Sequence, residues 1–504
     1  MTEPHRQGVV GGIRETVSRP AAVAVVYVAV MFLSTMDSTI VNVALPTIGR
    51  AFSVPSTAVD SVSIAYLVSL AVFVPASGWL GDRFGGKRTL LTAIAVFTIA
   101  SELCGIASSL GELVLFRVVQ GAGGGLLTSV GMAMLMRAYP PRSRVRVSAM
   151  ITLATGVSPA VGPVLGGLLV TDLSWRAVFS VNVPIGVAAL VFGAVFLRRD
   201  DQHLPAEFDT AGFLLAASGL GLAMYGVSMG PRDGWTSPEV LASVAAGVVL
   251  LIALVVLELR RSAPIVDVRL LLDRLFGNAT AIMAIESVTF LGTLYTVSLY
   301  FQDGRGMSAL DSGLSTFPEA LGVITGSQLG SRLLYRGLGP RRHLMAGIAG
   351  TSLFIAVLGL LGTDTNLWAV RVVLFGMGLS VGQVFVAGQA VAFAGISPAD
   401  SGRASTLFNV GRRLGGAIGV AVTTTVIVLA GAPTEGRIAP SAYHLAFFVA
   451  AAINLLGLLS ARAVRKGDAA NTIPPPRTKK KGNQHHAVLE PSVGDRRRGT
   501  GQSA

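Results

Sequence analysis

Apolar stretches close to twenty residues long, separated by short charged or turn-rich breaks, recur along nearly the whole chain. A helix needs about 20 apolar residues to cross the hydrocarbon core of a bilayer. In hydrocarbon only a helix or a closed barrel satisfies its own backbone polar groups, so the pattern predicts an all-α membrane protein. Fourteen spans can be marked, at 21–45, 59–80, 89–108, 112–136, 147–170, 178–197, 211–229, 239–258, 277–301, 312–334, 343–362, 368–391, 404–430 and 443–463. Composition agrees: of 504 residues, 52% are hydrophobic and 13% charged, too little polar surface to cover a soluble domain. The 60 glycines fit helices that approach one another closely through small residues. The first stretch contains Asp37, is too long for a signal-peptide core and lacks a small-residue cleavage site, so it reads as a retained span.

Alternate connections are strongly basic: Arg83, Lys87 and Arg88; Arg137, Arg142, Arg144 and Arg146; Arg198 and Arg199; Arg260, Arg261, Arg269 and Arg274; Arg336, Arg341 and Arg342. The positive-inside rule places these in the cytoplasm. The opposite connections carry only isolated bases (Arg50, Arg176, Arg232, Arg305, Arg437), so both termini are expected in the cytoplasm and the chain in the inner (cytoplasmic) membrane. Six of the thirteen net positive charges fall in the tail from Arg465 onward, with its Pro474–Pro476, Lys479–Lys481 and Arg496–Arg498 runs. That tail reads as a disordered, solvated end beside anionic lipid, not as a nucleic-acid site.

A weak repeat relates Gly78–Arg88 (GWLGDRFGGKR) to Gly330–Arg342 (GSRLLYRGLGPRR), and Phe116–Gly121 (FRVVQG) to Val370–Gly376 (VRVVLFG). Duplicated halves are a transporter feature. The expected organisation is a tail at 1–20, a six-helix bundle at 21–197, a linker with two extra spans at 198–275, a second six-helix bundle at 276–463 and a basic tail at 464–504.

Five segments then resemble those of the major facilitator superfamily, and with fourteen spans they resemble its drug:proton antiporter family: DSTIVNVALP (37–46), GWLGDRFGGKR (78–88), RVVQGAGGG (117–125), GVSPAVGPVLGG (156–167) and WRAVFSVNVPIG (175–186). The resemblance implies a proton-driven drug exporter, with protons as coupling ion and no other cofactor, and a small-molecule drug as partner within the lipid bilayer. Its relatives include self-resistance exporters of antibiotic producers. It also implies that Gly78, Asp82, Arg83, Lys87 and Arg88 form a cytoplasmic gate, and that Arg117 takes part in proton coupling. The segment holding Gly156, Pro159, Gly162, Pro163, Gly166 and Gly167 marks antiporters in that family. Physically, Gly162 and Gly166 give a small-xxx-small face, while Pro159 and Pro163 remove backbone donors and permit a bend. The second copy of the gate segment has Tyr335 where an acid is expected, so a symmetric latch does not follow. The glycines after Gln120 lack the Gly-Lys-Ser/Thr of a phosphate loop and lie within a span, which excludes nucleotide binding there.

Ionisable side chains at bilayer depth are expensive and mark function. Asp37 and Glu286 are the candidate proton carriers, with Arg117 sensing the carboxylate's charge, and drug binding and protonation expected to compete. For Asp37 a packing hydrogen bond to Asn42 or a nearby hydroxyl is the alternative. Glu102 and Glu319 read as near-interface residues, and Arg412 and Arg413 either enter span thirteen or reach back to the cytoplasm. Tyr66, Phe290, Tyr295 and Phe385 are candidate walls of a substrate cavity. An enzyme is not expected: three of the six histidines (His5, His485, His486) lie in the tails, the others (His203, His343, His444) in loops or at span edges, and no nucleophile stands beside a base. The lone Cys104 excludes an intrachain disulfide. The chain is expected to be a monomer, and a carrier of a small metabolite on the same fold is the second reading.

Overall fold

The computed structural model describes residues 18–54, 56–198, 208–261, 264–430, 439–465 and 467–473. Most of the two tails (1–17 and 474–504), and Arg199, His203 and Arg437, lie outside them, whereas the tail residues 467–473 are placed, with a 3-10 turn at Ala470–Thr472. Within the described residues the chain is helical and contains no strand. The long helices are α1 (Arg19–Phe52), α2 (Ser61–Phe84), α3 (Gly86–Ile106), α4 (Leu110–Ala138), α5 (Arg144–Asp172), α6 (Asn182–Phe196), α7 (Thr210–Asp233), α8 (Pro238–Glu258), α9 (Arg274–Leu299), α10 (Ala309–Leu329), α11 (Tyr335–Leu358), α12 (Leu367–Ala392), α13 (Ser401–Ala430) and α14 (Pro440–Ala463).

Among the described residues, eleven helices are long and apolar enough to cross a membrane, or twelve if the two halves of α5, bent by 41°, form one span. The predicted count of fourteen is therefore not reached on length and apolarity. Helices α10 and α11 occupy the two remaining predicted segments but are more polar. Asp311, Glu319 and several hydroxyls interrupt α10, and Arg336, Arg341, Arg342 and His343 crowd the start of α11.

Local chemistry sets the helix starts that matter for function. Ser109 caps α4 by accepting the Glu112 N–H at 3.2 Å, while the Glu112 carboxylate accepts the Ser108 N–H at 2.9 Å, a reciprocal arrangement close to a capping box. That fixes the helix carrying Arg117 and Gln120. The turn between α2 and α3 passes through Gly85 at φ 83°, and the corresponding glycine of the second copy, Gly339 before Pro340, sits at φ 75°. Only glycine adopts this backbone without strain, so the faint sequence repeat is expressed as the same turn.

Helices α1–α6 pack chiefly on one another, through α2–α4, α1–α5 and α3–α4, and α9–α14 do likewise through α10–α12, α9–α13 and α11–α12. Between these groups α5 meets α10 and α12, and α13 meets α2 and α4. Helix α7 lies against both α2 and α13, and α8 packs on α7 with Leu241, Val249 and Ile252 exposed on its outer face. Glycine makes the tight crossings possible. A methyl added at Gly121 would lie 2.6 Å from the Tyr66 carbonyl oxygen, and one at Gly125 would strike the Leu70 carbonyl. The glycine run of α4 is thus a backbone-on-backbone contact with α2. In the same manner Gly322 and Gly326 of α10 face the α12 backbone at Phe375 and Leu379, and Gly378 and Gly382 of α12 face the α10 backbone at Glu319 and Val323.

Gly125→Ala should therefore lower the thermal unfolding midpoint of the purified protein, by the equivalent of about 1–3 kcal/mol for an overpacked contact. Gly167→Ala should leave the midpoint unchanged, because nothing lies within 4 Å of a methyl there. Equal midpoints for the two variants would contradict the packing described.

Candidate functional site

Three polar arrangements stand out against the apolar interior. The first is a buried network in the first six helices. Asp37 of α1 and Arg117 of α4 form an ion pair at 2.6 Å, both almost wholly inaccessible. The same Arg117 nitrogen donates to Gln120 Oε1 at 2.8 Å, and Arg117 Nε donates to the Val62 carbonyl at 3.3 Å. Asp37 Oδ1 accepts from Gln120 Nε2 at 2.9 Å and from Asn182 Nδ2, at the start of α6, at 2.8 Å. Asn182 also donates to Ser101 of α3 at 3.0 Å. The Arg117 guanidinium lies 4.0 Å from the Tyr66 ring centroid, a cation–π contact, and the Tyr66 hydroxyl lies 3.3 Å from Ser34 Oγ. Two buried charges are thus paired and further hydrogen-bonded, with the guanidinium also against an aromatic face, the kind of setting in which such a pair is tolerated. Asn42, the alternative partner, instead accepts from Ser63 at 3.1 Å.

The second arrangement closes the end that carries the basic connections. Asp82 at the end of α2 pairs with Arg137 at the end of α4 at 2.8 Å, and Arg137 Nε donates to the Pro398 carbonyl, just before α13, at 2.9 Å. The Asp82 carboxylate faces the first turn of α13, where a methyl on Gly402 would lie 3.7 Å from either oxygen, so the helix dipole adds to the attraction. Ser405 of α13 donates to the Ser129 carbonyl at 2.9 Å, and Thr406 meets Ser77 at 3.3 Å. A methyl at Gly78 would lie 3.4 Å from Thr406, so α2 and α13 are in close contact here. The void left beside the ion pair is only ≈ 10 Å³. Of the other residues expected in the gate, Lys87 donates to the Ala194 carbonyl at 2.8 Å, while Arg83 and Arg88 are exposed.

The third is a cavity of ≈ 690 Å³ between the two groups of helices, whose lining from α1, α2, α7 and α9 lies toward the end opposite Asp82. Phe290, Tyr295 and Phe385 line it as expected, with Pro159 of α5 and Met224 and Met229 of α7; Tyr66 does not. Among the described residues, the charged ones on the wall are Asp60, Arg412 and Arg413. Neither Asp37 nor Glu286 is among them.

Glu286 is buried and does not line the cavity, although Ser287 and Phe290 beside it on α9 do. Thr351 of α11 donates to its Oε1 at 3.2 Å, and its Oε2 has no hydrogen-bond partner among the described residues. Glu319, expected near an interface, is instead buried midway along α10, and Glu102 is exposed. Tyr335 is buried, its hydroxyl 2.7 Å from Thr472, with no acidic role in a second latch. In the 156–167 segment, Gly162 and Gly166 press α5 onto Thr39 and Ile40 of α1, and Gly156 presses it onto Val323 of α10. Gly167 makes no close approach, and the Pro163 side chain lies outside the described residues. Sequence reasoning missed Gln120 and Asn182, although each is a lone amide inside a quoted motif. It also read Arg137 as a topology signal only.

Membrane-length helices around a central cavity shut at one end define a multi-pass membrane transporter. The chain belongs to the Major Facilitator Superfamily, whose family model matches residues 27–420 and, in a second match, 320–497. It is 32% identical over 398 residues to the multidrug resistance protein B homolog of Mycobacterium tuberculosis, covering 78% of this chain and 73% of that one. It is also 32% identical over 404 residues to the tetracenomycin C resistance and export protein of Streptomyces glaucescens, covering 79% and 74%. A solved structure of the major facilitator proton:xylose symporter XylE, at 14% identity, superposes with a TM-score of 0.61 over 90% of this chain and 97% of that one, a likeness of fold alone.

The closure can be measured through a single thiol. The one native cysteine, Cys104, is buried. In a Cys104→Ser background, Ser405→Cys should react slowly with maleimide and several-fold faster once Asp82→Asn removes the Arg137 pair. Unchanged labelling would show that the ion pair does not hold this end shut.

Proposed function

We propose that the protein exports a drug or antibiotic from the cytoplasm in exchange for protons, by alternating exposure of the central cavity. The observation that carries this reading is the cavity itself: large enough for a drug-sized molecule, walled mainly by apolar and aromatic side chains, and shut at one end where Arg137, paired with Asp82, donates across the two groups of helices to the Pro398 carbonyl. The direction of transport follows from relatives named for multidrug resistance and for tetracenomycin C export. The basic connections put the shut end in the cytoplasm. The conformation described is then the one that releases drug outward and takes up a proton.

Proton coupling is assigned to Asp37. A proton on Asp37 removes the charge that Arg117 answers, and breaking one side of a buried ion pair costs about 3–5 kcal/mol. The network joins α1, α3, α4 and α6, so that cost is felt as a change in how four helices pack. Direct competition between drug and proton, the simpler scheme, has no geometry here. Thr35 faces the cavity, whereas Asp37, two residues on and therefore on the other side of α1, does not. Coupling would run through the position of α1.

Expression in a drug-sensitive bacterium stripped of its own pumps should lower accumulation of at least one antibiotic in a panel, and an uncoupler should abolish the effect. Asp37→Asn, still present in the membrane, should return accumulation to the level of cells without the protein. Unchanged accumulation of every compound by a membrane-inserted protein would reject drug export in favour of a small-metabolite carrier on the same fold.

A further inference from the structure

The cavity wall carries two adjacent cations for which the mechanism above has no use. Arg412 and Arg413 lie three turns into α13, at its twelfth and thirteenth residues, and both line the cavity. Among the described residues neither guanidinium has an ion-pair or hydrogen-bond partner; Arg412 Nε is buried and unpaired. What Arg412 does touch is aromatic, with its guanidinium 5.3 Å from the Phe385 ring centroid and 5.9 Å from that of Phe408. Two like charges side by side at membrane depth are costly unless something answers them. The protein's own buried acids do not: Asp37 is committed to Arg117, Glu286 accepts from Thr351 of α11, and Glu319, Asp209 and Glu258 lie outside the cavity lining. Asp60, the one acidic residue on the wall, sits at the far end, before the first turn of α2.

We propose that Arg412 and Arg413 form an anion subsite, and that the transported molecule is an amphipathic organic anion. Its carboxylate or phenolate is held by the two guanidiniums and its apolar, aromatic body lies against Phe290, Tyr295 and Phe385. The assignment rests on the reading of this cavity as the substrate site. Arginine suits the task because it stays charged, forks onto planar anions and stacks on rings. Phe290 and Phe385 are already edge to face, 5.6 Å between centroids, and extend one apolar wall from the arginine pair toward Tyr295. The flexible Met224 and Met229 of α7 supply the opposite face, which lets one charged subsite serve bodies of different shape.

The test is equilibrium dialysis of the full-length protein in nanodiscs, with empty nanodiscs subtracted, against anionic fluorescein and cationic rhodamine 123. Wild type should bind fluorescein. Arg412→Gln with Arg413→Gln should weaken that binding at least tenfold without weakening rhodamine 123, and Arg412→Lys with Arg413→Lys should keep it within a few-fold. An unchanged thermal midpoint in the glutamine variant excludes misfolding as the cause. Absence of protein-dependent fluorescein binding, or fluorescein binding indifferent to the glutamine pair, overturns the proposal. Accumulation of both dyes in cells separates it from the export reading. Uncoupler-sensitive export of rhodamine 123 without fluorescein binding would leave export standing and remove the anion subsite. Arginine-dependent fluorescein binding with no export of either dye would do the reverse.

Discussion

A charge held away from water must be answered by another group, and that requirement organises the interior of this molecule. Asp37 and Arg117 are tolerated because each answers the other and because Gln120, Asn182 and the Val62 carbonyl add further hydrogen bonds. The network reaches four helices, so their relative positions are tied to one electrostatic state. Tyr66, stacked on the guanidinium, links it to the backbone face where α2 and α4 touch through Gly121. A larger residue at that crossing would push the helices apart and unmake the geometry of the pair.

The chain therefore separates two tasks that the sequence alone could not assign to different places. Charge pairing lies inside the first six helices, while the cavity lies between the two groups and is walled, on α1, by the side opposite Asp37. Residues two apart on one helix, such as Thr35 and Asp37, look alike in a linear reading but serve different compartments. An ionisable residue in an apolar run says that something must satisfy it; only the packing says whether that is the protein or a ligand.

Much of the fold was legible because hydrocarbon leaves few choices. Helices occupy the predicted spans, and Gly85 and Gly339, within the two copies of the repeat, share a positive φ. The count of spans was less secure, since α10 and α11 owe their place to packing against α12 more than to apolarity. The aromatic wall was legible in part: Phe290, Tyr295 and Phe385 line the cavity, but Tyr66 is taken up by Arg117. Arg137 was hidden because a base at a helix end also obeys the positive-inside rule, and a one-dimensional pattern cannot distinguish a topological charge from a paired one. Arg412 and Arg413 were ambiguous for a related reason. Their depth depends on where α13 begins, and its start at Ser401 puts them three turns inside.

That position gives α13 a part in both ends of the molecule. Its first turn meets the Asp82 carboxylate, its next residues meet α2 and α4 at Ser77 and Ser129, and its arginines face the cavity. From Gly402 to Arg412 is ten residues of one helix, about 15 Å. Farther along, Gly415 and Gly419 seat it against the backbone of α9 at Ala284 and Val288, so it shifts with its neighbour or not at all. A ligand moves a conformational equilibrium only by the difference in its affinity for the two states. Cations on the helix that also seals the opposite end give a bound anion the means to make that difference. Any change in how α13 sits to receive the ligand's charge also changes how its first turn meets Asp82 and Arg137.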